Sequence, residues 1–117
     1  TYRRKHLRIR VKHFRNQLSS MAETLTDEEL DEALENLQIW GIEAGKLATR
    51  VEFEDYKETV FFANTVFSLA EEEFHHPEVA VEYGAIEIDL WSHEQEGITG
   101  KDIDMAEEIE RRLGKMN

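Results

Sequence analysis

Glu71-Glu72-Glu73-Phe74-His75-His76-Pro77, followed through Tyr83 by Ile86-Glu87-Ile88-Asp89-Leu90-Trp91-Ser92-His93, is the stretch on which the fold turns. Pro77 has no backbone N–H, and it restricts His76 to extended conformations. A helix running into it must stop, which leaves the histidine pair at a helix C-terminus. Ile86, Ile88 and Leu90 alternate with Glu87, Asp89 and Trp91, the pattern of a strand with one buried face. Carried on to residue 93, that alternation puts His93 on the Glu87/Asp89/Trp91 side, away from the core.

Working upstream, Asp55 opens the helix that Pro77 closes. Tyr56, Val60, Ala63, Phe67, Ala70 and Phe74 follow alternating steps of four and three, a stripe along one face. Phe61, Phe62, Val66 and Leu69 widen the apolar surface, which suits the main core helix or a face that meets another subunit. Leu47 to Phe53 reads as a strand with Leu47, Thr49, Val51 and Phe53 on one side. Thr26-Asp27-Glu28-Glu29 is a capping box with Leu25 and Leu30 as its staple. Leu30, Ala33, Leu34 and Leu37 then predict a helix of about three turns, ended before Gly41.

Downstream, Gly97 and Gly100 mark a loop, and Thr99-Gly100-Lys101-Asp102 is a second capping box with Ile98 and Ile103 as staple. Ile103, Ala106, Ile109 and Leu113 carry the last helix. The order is helix, strand, helix, strand region, strand, helix. It predicts an α+β fold: an antiparallel sheet with helices packed on one face, in a small single-domain subunit that oligomerises.

A chain of 117 residues suits one domain. Without cysteine there is no disulfide, thiolate nucleophile or cysteine-ligated zinc. No run of about 18 apolar residues offers a transmembrane helix, so a soluble, cytoplasmic protein without membrane contact is expected. Charge is uneven. Residues 1–20 hold seven of the 14 lysines and arginines and no acid, leaving the rest with seven bases against all 26 acids, a formal −19. Such an acidic body repels nucleic acid, and its self-repulsion is screened by salt, which suggests a high-salt cytoplasm. Residues 1–20 form a basic leader with Leu7, Val11, Phe14 and Leu18 at heptad spacing. Met21 follows it like a natural start, which favours an upstream or expression-derived leader over a nucleic-acid or membrane arm or a targeting segment. The domain is taken as 21–117.

Chemistry concentrates at the histidines. Three of five, His75, His76 and His93, fall within nineteen positions beside carboxylates. Solvated histidines at element ends are the plain alternative. Asp102 has a structural role of its own as the fourth residue of its capping box, Tyr83 suits a strand aromatic, and Trp40 suits core or pocket wall. Three imidazoles and a water would suit catalytic zinc, but no compact ligand spacing is present. Metal-free general acid–base catalysis fits imidazoles that exchange protons near neutrality. A helix C-terminus and Glu71, four residues earlier, would favour a protonated His75 as the acid.

The string Glu71-x3-His75-His76-Pro77-x5-Tyr83-x9-His93-x8-Asp102 resembles the signature of the pterin-4a-carbinolamine dehydratases. Trp40 in Ile39-Trp40, the segment from Val51 to Tyr56, Ser92-His93-Glu94 and Gly97-Ile98-Thr99 extend the likeness over about residues 26–113. The resemblance implies a dimer or tetramer that dehydrates 4a-hydroxytetrahydropterin to quinonoid dihydropterin without metal or cofactor, the pterin being substrate. It implies His75, His76 and His93 as catalytic and pterin-contacting residues, with His75 and His93 the leading pair for proton transfer and His76 positioning the pterin. Glu71 and Asp102 would support them, and Trp40, Tyr83 and Pro77 would line the substrate site. Trp91 departs from the family's usual small residue there and would narrow or restack the pocket. Two other roles stay open: a non-catalytic pterin-binding accessory protein, as in molybdopterin metabolism, and a dimerisation module.

Overall fold

Residues 23–116 are described by the computed structural model; the basic leader lies outside them. The order is α1 (Asp27–Glu35), β1 (Gly41–Glu43), β2 (Lys46–Glu52), α2 (Tyr56–Glu73), β3 (Glu78–Glu82), β4 (Ala85–Leu90) and α3 (Gly100–Gly114). The four strands form an antiparallel sheet in the order β1-β2-β4-β3. The fold is α+β, as the pattern predicts.

Register explains why one face takes the helices. Thr49, Ile88 and Val79 lie across from one another, as do Val51, Ile86 and Val81. Ile86, Ile88, Val51 and Val79 of these rows pack with Phe62, Val66 and Leu69 of α2 and Met105, Ala106 and Ile109 of α3 in one core cluster, while Val81 is exposed. Leu30, Leu34 and Leu37, in and just after α1, join the cluster's margin and interior. The opposite face carries Arg50, Glu82 and Glu87, with Arg50 bonded to Glu82 at 3.0 Å and to Glu87 at 2.7 Å. Those contacts hold Glu82 below the usual carboxylate range, first through its hydrogen bond with Arg50 and then through that charge.

Two sequence expectations need correction. The buried face of α2 is Thr59, Phe62, Ala63, Val66, Leu69 and Ala70, while Tyr56, Phe67 and Phe74 are exposed. The expected stripe shares Ala63 and Ala70 with the observed one, and Phe62, Val66 and Leu69, expected to widen it, are its centre, so the buried face is turned part of the way about the helix axis. Strand β1 was not anticipated. It joins β2 through Ala44 and Gly45, both at positive φ (51° and 76°), the backbone a two-residue hairpin of matching twist requires.

Candidate active site

The site begins where α2 ends. Phe74 takes the left-handed conformation (φ 53°, ψ 40°) and its N–H donates to the Ala70 carbonyl. The His75 N–H donates to the same carbonyl at 3.2 Å. This is a Schellman-like closure made without glycine. It breaks helical phase one residue before the histidines.

Across from it stands the N-terminus of α3. Thr99 caps the helix, and the side chain of Asp102 accepts the Thr99 N–H on Oδ2 at 2.8 Å, completing the expected capping box. Asp102 is wholly buried. Its other oxygen, Oδ1, meets His75 Nε2. A buried carboxylate needs such partners, because desolvation would otherwise outweigh its attractions. Ser92 Oγ donates to Oδ2 at 2.9 Å and lies 2.9 Å from Thr99 Oγ1.

The loop that brings Ser92 and Thr99 together is firmly tied. Ser92 and Gly97 exchange backbone hydrogen bonds in both directions, closing a four-residue turn from His93 to Glu96. The chain at Thr24 bridges Thr99, and the Leu25 N–H donates to the Ile98 carbonyl at 2.9 Å. A Cβ at Gly97 would come within 2.7 Å of Thr24 Cγ2, so any larger residue there would force the Thr24 side chain to shift.

The remaining residues sort by distance from this centre. His76 Nε2 bonds Glu71 Oε2 at 2.8 Å, with both side chains exposed. Glu71 therefore pairs with His76 and not, as helical spacing suggested, with His75; the left-handed Phe74 is the reason. His93, next to Ser92, is exposed and sets its ring edge-on to Trp91 at 4.5 Å. Lys46 Nζ lies 5.7 Å from the Trp91 ring and 3.1 Å from Glu78. Pro77 is half-buried between His76 and β3. Trp40 belongs to the core, and its buried indole N–H has no partner among the described residues. Tyr83 is 70% exposed and stacked on Tyr56 at 6.1 Å. It stands at the far end of β3 from Pro77, roughly 16 Å along a five-residue strand, so the fold of one subunit does not bring it to the histidines.

Chemically, the centre is an imidazole held by a buried carboxylate. An ionised Asp102 accepts only, so Nε2 carries the shared proton and Nδ1 is the nitrogen left to act on a ligand. The carboxylate orients the ring and stabilises positive charge on it, the arrangement that serves proton transfer in general acid–base catalysis. Among the described residues no three His, Asp or Glu side chains converge as a metal site, and both His75 Nε2 and His76 Nε2 face carboxylates.

Comparison with known proteins agrees with this geometry. Residues 23–112 match the family model described as Pterin 4 alpha carbinolamine dehydratase, and the chain belongs to that family. A Natronomonas pharaonis protein with the provisional name pterin-4-alpha-carbinolamine dehydratase is 40% identical over 90 residues, 77% of this chain and 96% of the relative. A Nostoc protein with the same provisional name is 35% identical over 89 residues, covering 76% and 96%. A solved transcriptional coactivator/pterin dehydratase from Brucella melitensis superposes with TM-score 0.71 at 30% identity, over 74% of this chain and 95% of that one. A pterin dehydratase-like RuBisCO assembly factor of the alpha-carboxysome shares the fold, with TM-score 0.54 at 19% identity over 63% and 88%.

Proposed function

We propose that the protein is a 4a-hydroxytetrahydrobiopterin dehydratase, a hydro-lyase that removes water from the pterin-4a-carbinolamine. A proton reaches the 4a-hydroxyl, the C4a–O bond breaks with its electron pair leaving on water, and the proton on N5 is removed to give the quinonoid dihydropterin. His75 and His93 carry the proton transfers through imidazole nitrogens, and His76, bonded to Glu71, positions the pterin. The single observation that supports this most is the buried His75–Asp102 pair in a chain of this family. In this reading the pterin is the substrate, the residues themselves do the proton chemistry without metal or cofactor, and the location is cytoplasmic.

Self-association as a homodimer or homotetramer belongs to the same proposal. Phe67 on α2 and Phe74 just after it are 45% and 82% exposed, apolar aromatic surface that a second copy could cover. Light scattering on the full chain should give a multiple of 13.7 kDa, and Phe67→Glu should lower it.

Turnover distinguishes the enzyme from a pterin-binding accessory protein. The full chain should accelerate carbinolamine dehydration with chelator present. Tight pterin binding by folded protein without any acceleration would move the assignment to the accessory role.

A further inference from the structure

We infer that Ser92 is a positioning residue for His75, acting through Asp102; the inference rests on the dehydratase reading only for its kinetic consequence. A carboxylate can only accept, so of the two hydroxyls around Asp102 Oδ2 the nearer, Ser92 Oγ at 2.9 Å, must donate to it. Its lone pairs then face Thr99 Oγ1 at 2.9 Å, and Thr99 Oγ1 in turn accepts the Lys101 N–H at 3.2 Å. One ordering satisfies every member: Lys101 N–H donates to Thr99, Thr99 O–H to Ser92 and Ser92 O–H to Asp102, whose other oxygen accepts from His75 Nε2–H. The first amides of α3 are thereby connected to the imidazole by consecutive hydrogen bonds.

Three observations give Ser92 a part that a merely buried hydroxyl would not have. The other groups near Oδ2, Thr99 N–H at 2.8 Å and Thr99 Oγ1 at 3.4 Å, come from the same helix end as Asp102, so they cannot fix that carboxylate relative to β4. Ser92 comes from the segment that follows β4, beside the exposed His93. It is therefore the contact that registers the Asp102–His75 pair against the turn carrying the second proton-transfer histidine. Finally, the Ser92 backbone is held to Gly97 at both N–H and C=O (3.0 and 3.3 Å), so removing the hydroxyl leaves the turn in place. What is lost is the direction in which Oδ1 holds the imidazole, and in a buried network an unmade bond is felt by its neighbours.

The test compares Ser92→Ala, Ser92→Thr and Ser92→Cys with the unchanged full chain, reading kcat, KM and the proton NMR signal of the His75 Nε2–H, assigned by its loss in His75→Gln. Ser92→Ala should lower kcat about tenfold with KM within about twofold, and should move or broaden the Nε2–H signal. Ser92→Thr, which keeps the donor, should restore both. Ser92→Cys, of similar volume but a weak donor, should behave like alanine and serves if the alanine variant does not fold. Asp55→Ala, which removes the N-cap of α2 at the opposite end of that helix from His75, controls for lost stability and should leave kcat and the signal unchanged. An unaltered kcat and signal in Ser92→Ala or Ser92→Cys, or equal impairment in Ser92→Thr, would overturn the inference. If the unchanged protein turns over no carbinolamine, the dehydratase reading fails by itself, and the imidazole signal alone decides the role of Ser92.

Discussion

Asp102 divides its oxygens between two tasks, Oδ2 closing the cap of α3 and Oδ1 holding His75. From sequence, capping and catalysis look like rival explanations of one residue; in the fold they are compatible because a carboxylate has two oxygens. Asp102→Asn separates them. The amide oxygen can still cap, but the charge that stabilises a cationic His75 is gone, so kcat should fall about a hundredfold while melting stays cooperative. Loss of activity accompanied by unfolding would instead make Asp102 structural. His93→Ala should also reduce turnover about a hundredfold or more if His93 moves a proton in the slow step, and a pre-steady-state assay would show it. His75, His76, His93, Asp102 and Glu71 were singled out by their clustering and by the family resemblance. Their pairing was not legible, since one left-handed residue at Phe74 transfers Glu71 from His75 to His76. Ser92 entered only as a neighbour of His93 in the likeness, with no role of its own, because a small hydroxyl beside a histidine has no periodic signal.

Elements were readable where local chemistry determines them. Both capping boxes form as the spacing predicts, and Thr26→Ala should cost about 1 kcal/mol in chemical denaturation. The core face of α2 was misread for a definite reason: two neighbouring stripes share Ala63 and Ala70, and periodicity alone does not choose between them. The sheet chooses, taking Phe62, Val66 and Leu69 against Ile86 and Ile88 and leaving Phe67 outside. Strand β1 has three residues, too few for alternation to register. Phe74 is the element-scale oddity, a left-handed residue with a large exposed side chain. Phe74→Gly removes the steric strain, partly offset by chain entropy, and should stabilise the monomer by roughly 0.5–1 kcal/mol. A lower melting temperature on substitution would show that the Phe74 ring is buried in an assembly.

For the whole molecule, charge is the governing quantity. Seven bases against 26 acids beyond the leader make self-repulsion the largest long-range effect, and salt screens it. The melting temperature should therefore rise by several degrees between about 0.1 and 2 M KCl, even though the exposed Arg50 ion pairs weaken, because such pairs contribute little. A fall would contradict this balance. On the acid side the sign is fixed by Glu82: its folded value is lowered, so its contribution is present above the ordinary glutamate range and is lost as pH falls through that range toward the folded value. Glu82→Gln should flatten this part of the acid-unfolding curve. The proposal that His75 on Asp102 drives dehydration is tested most directly by stopped-flow dehydration of 4a-carbinolamine, comparing the full chain with His75→Ala in low and molar salt with chelator present. The account predicts chelator-resistant turnover that falls at least about a hundredfold in the variant; equal rates from the two folded proteins would contradict it.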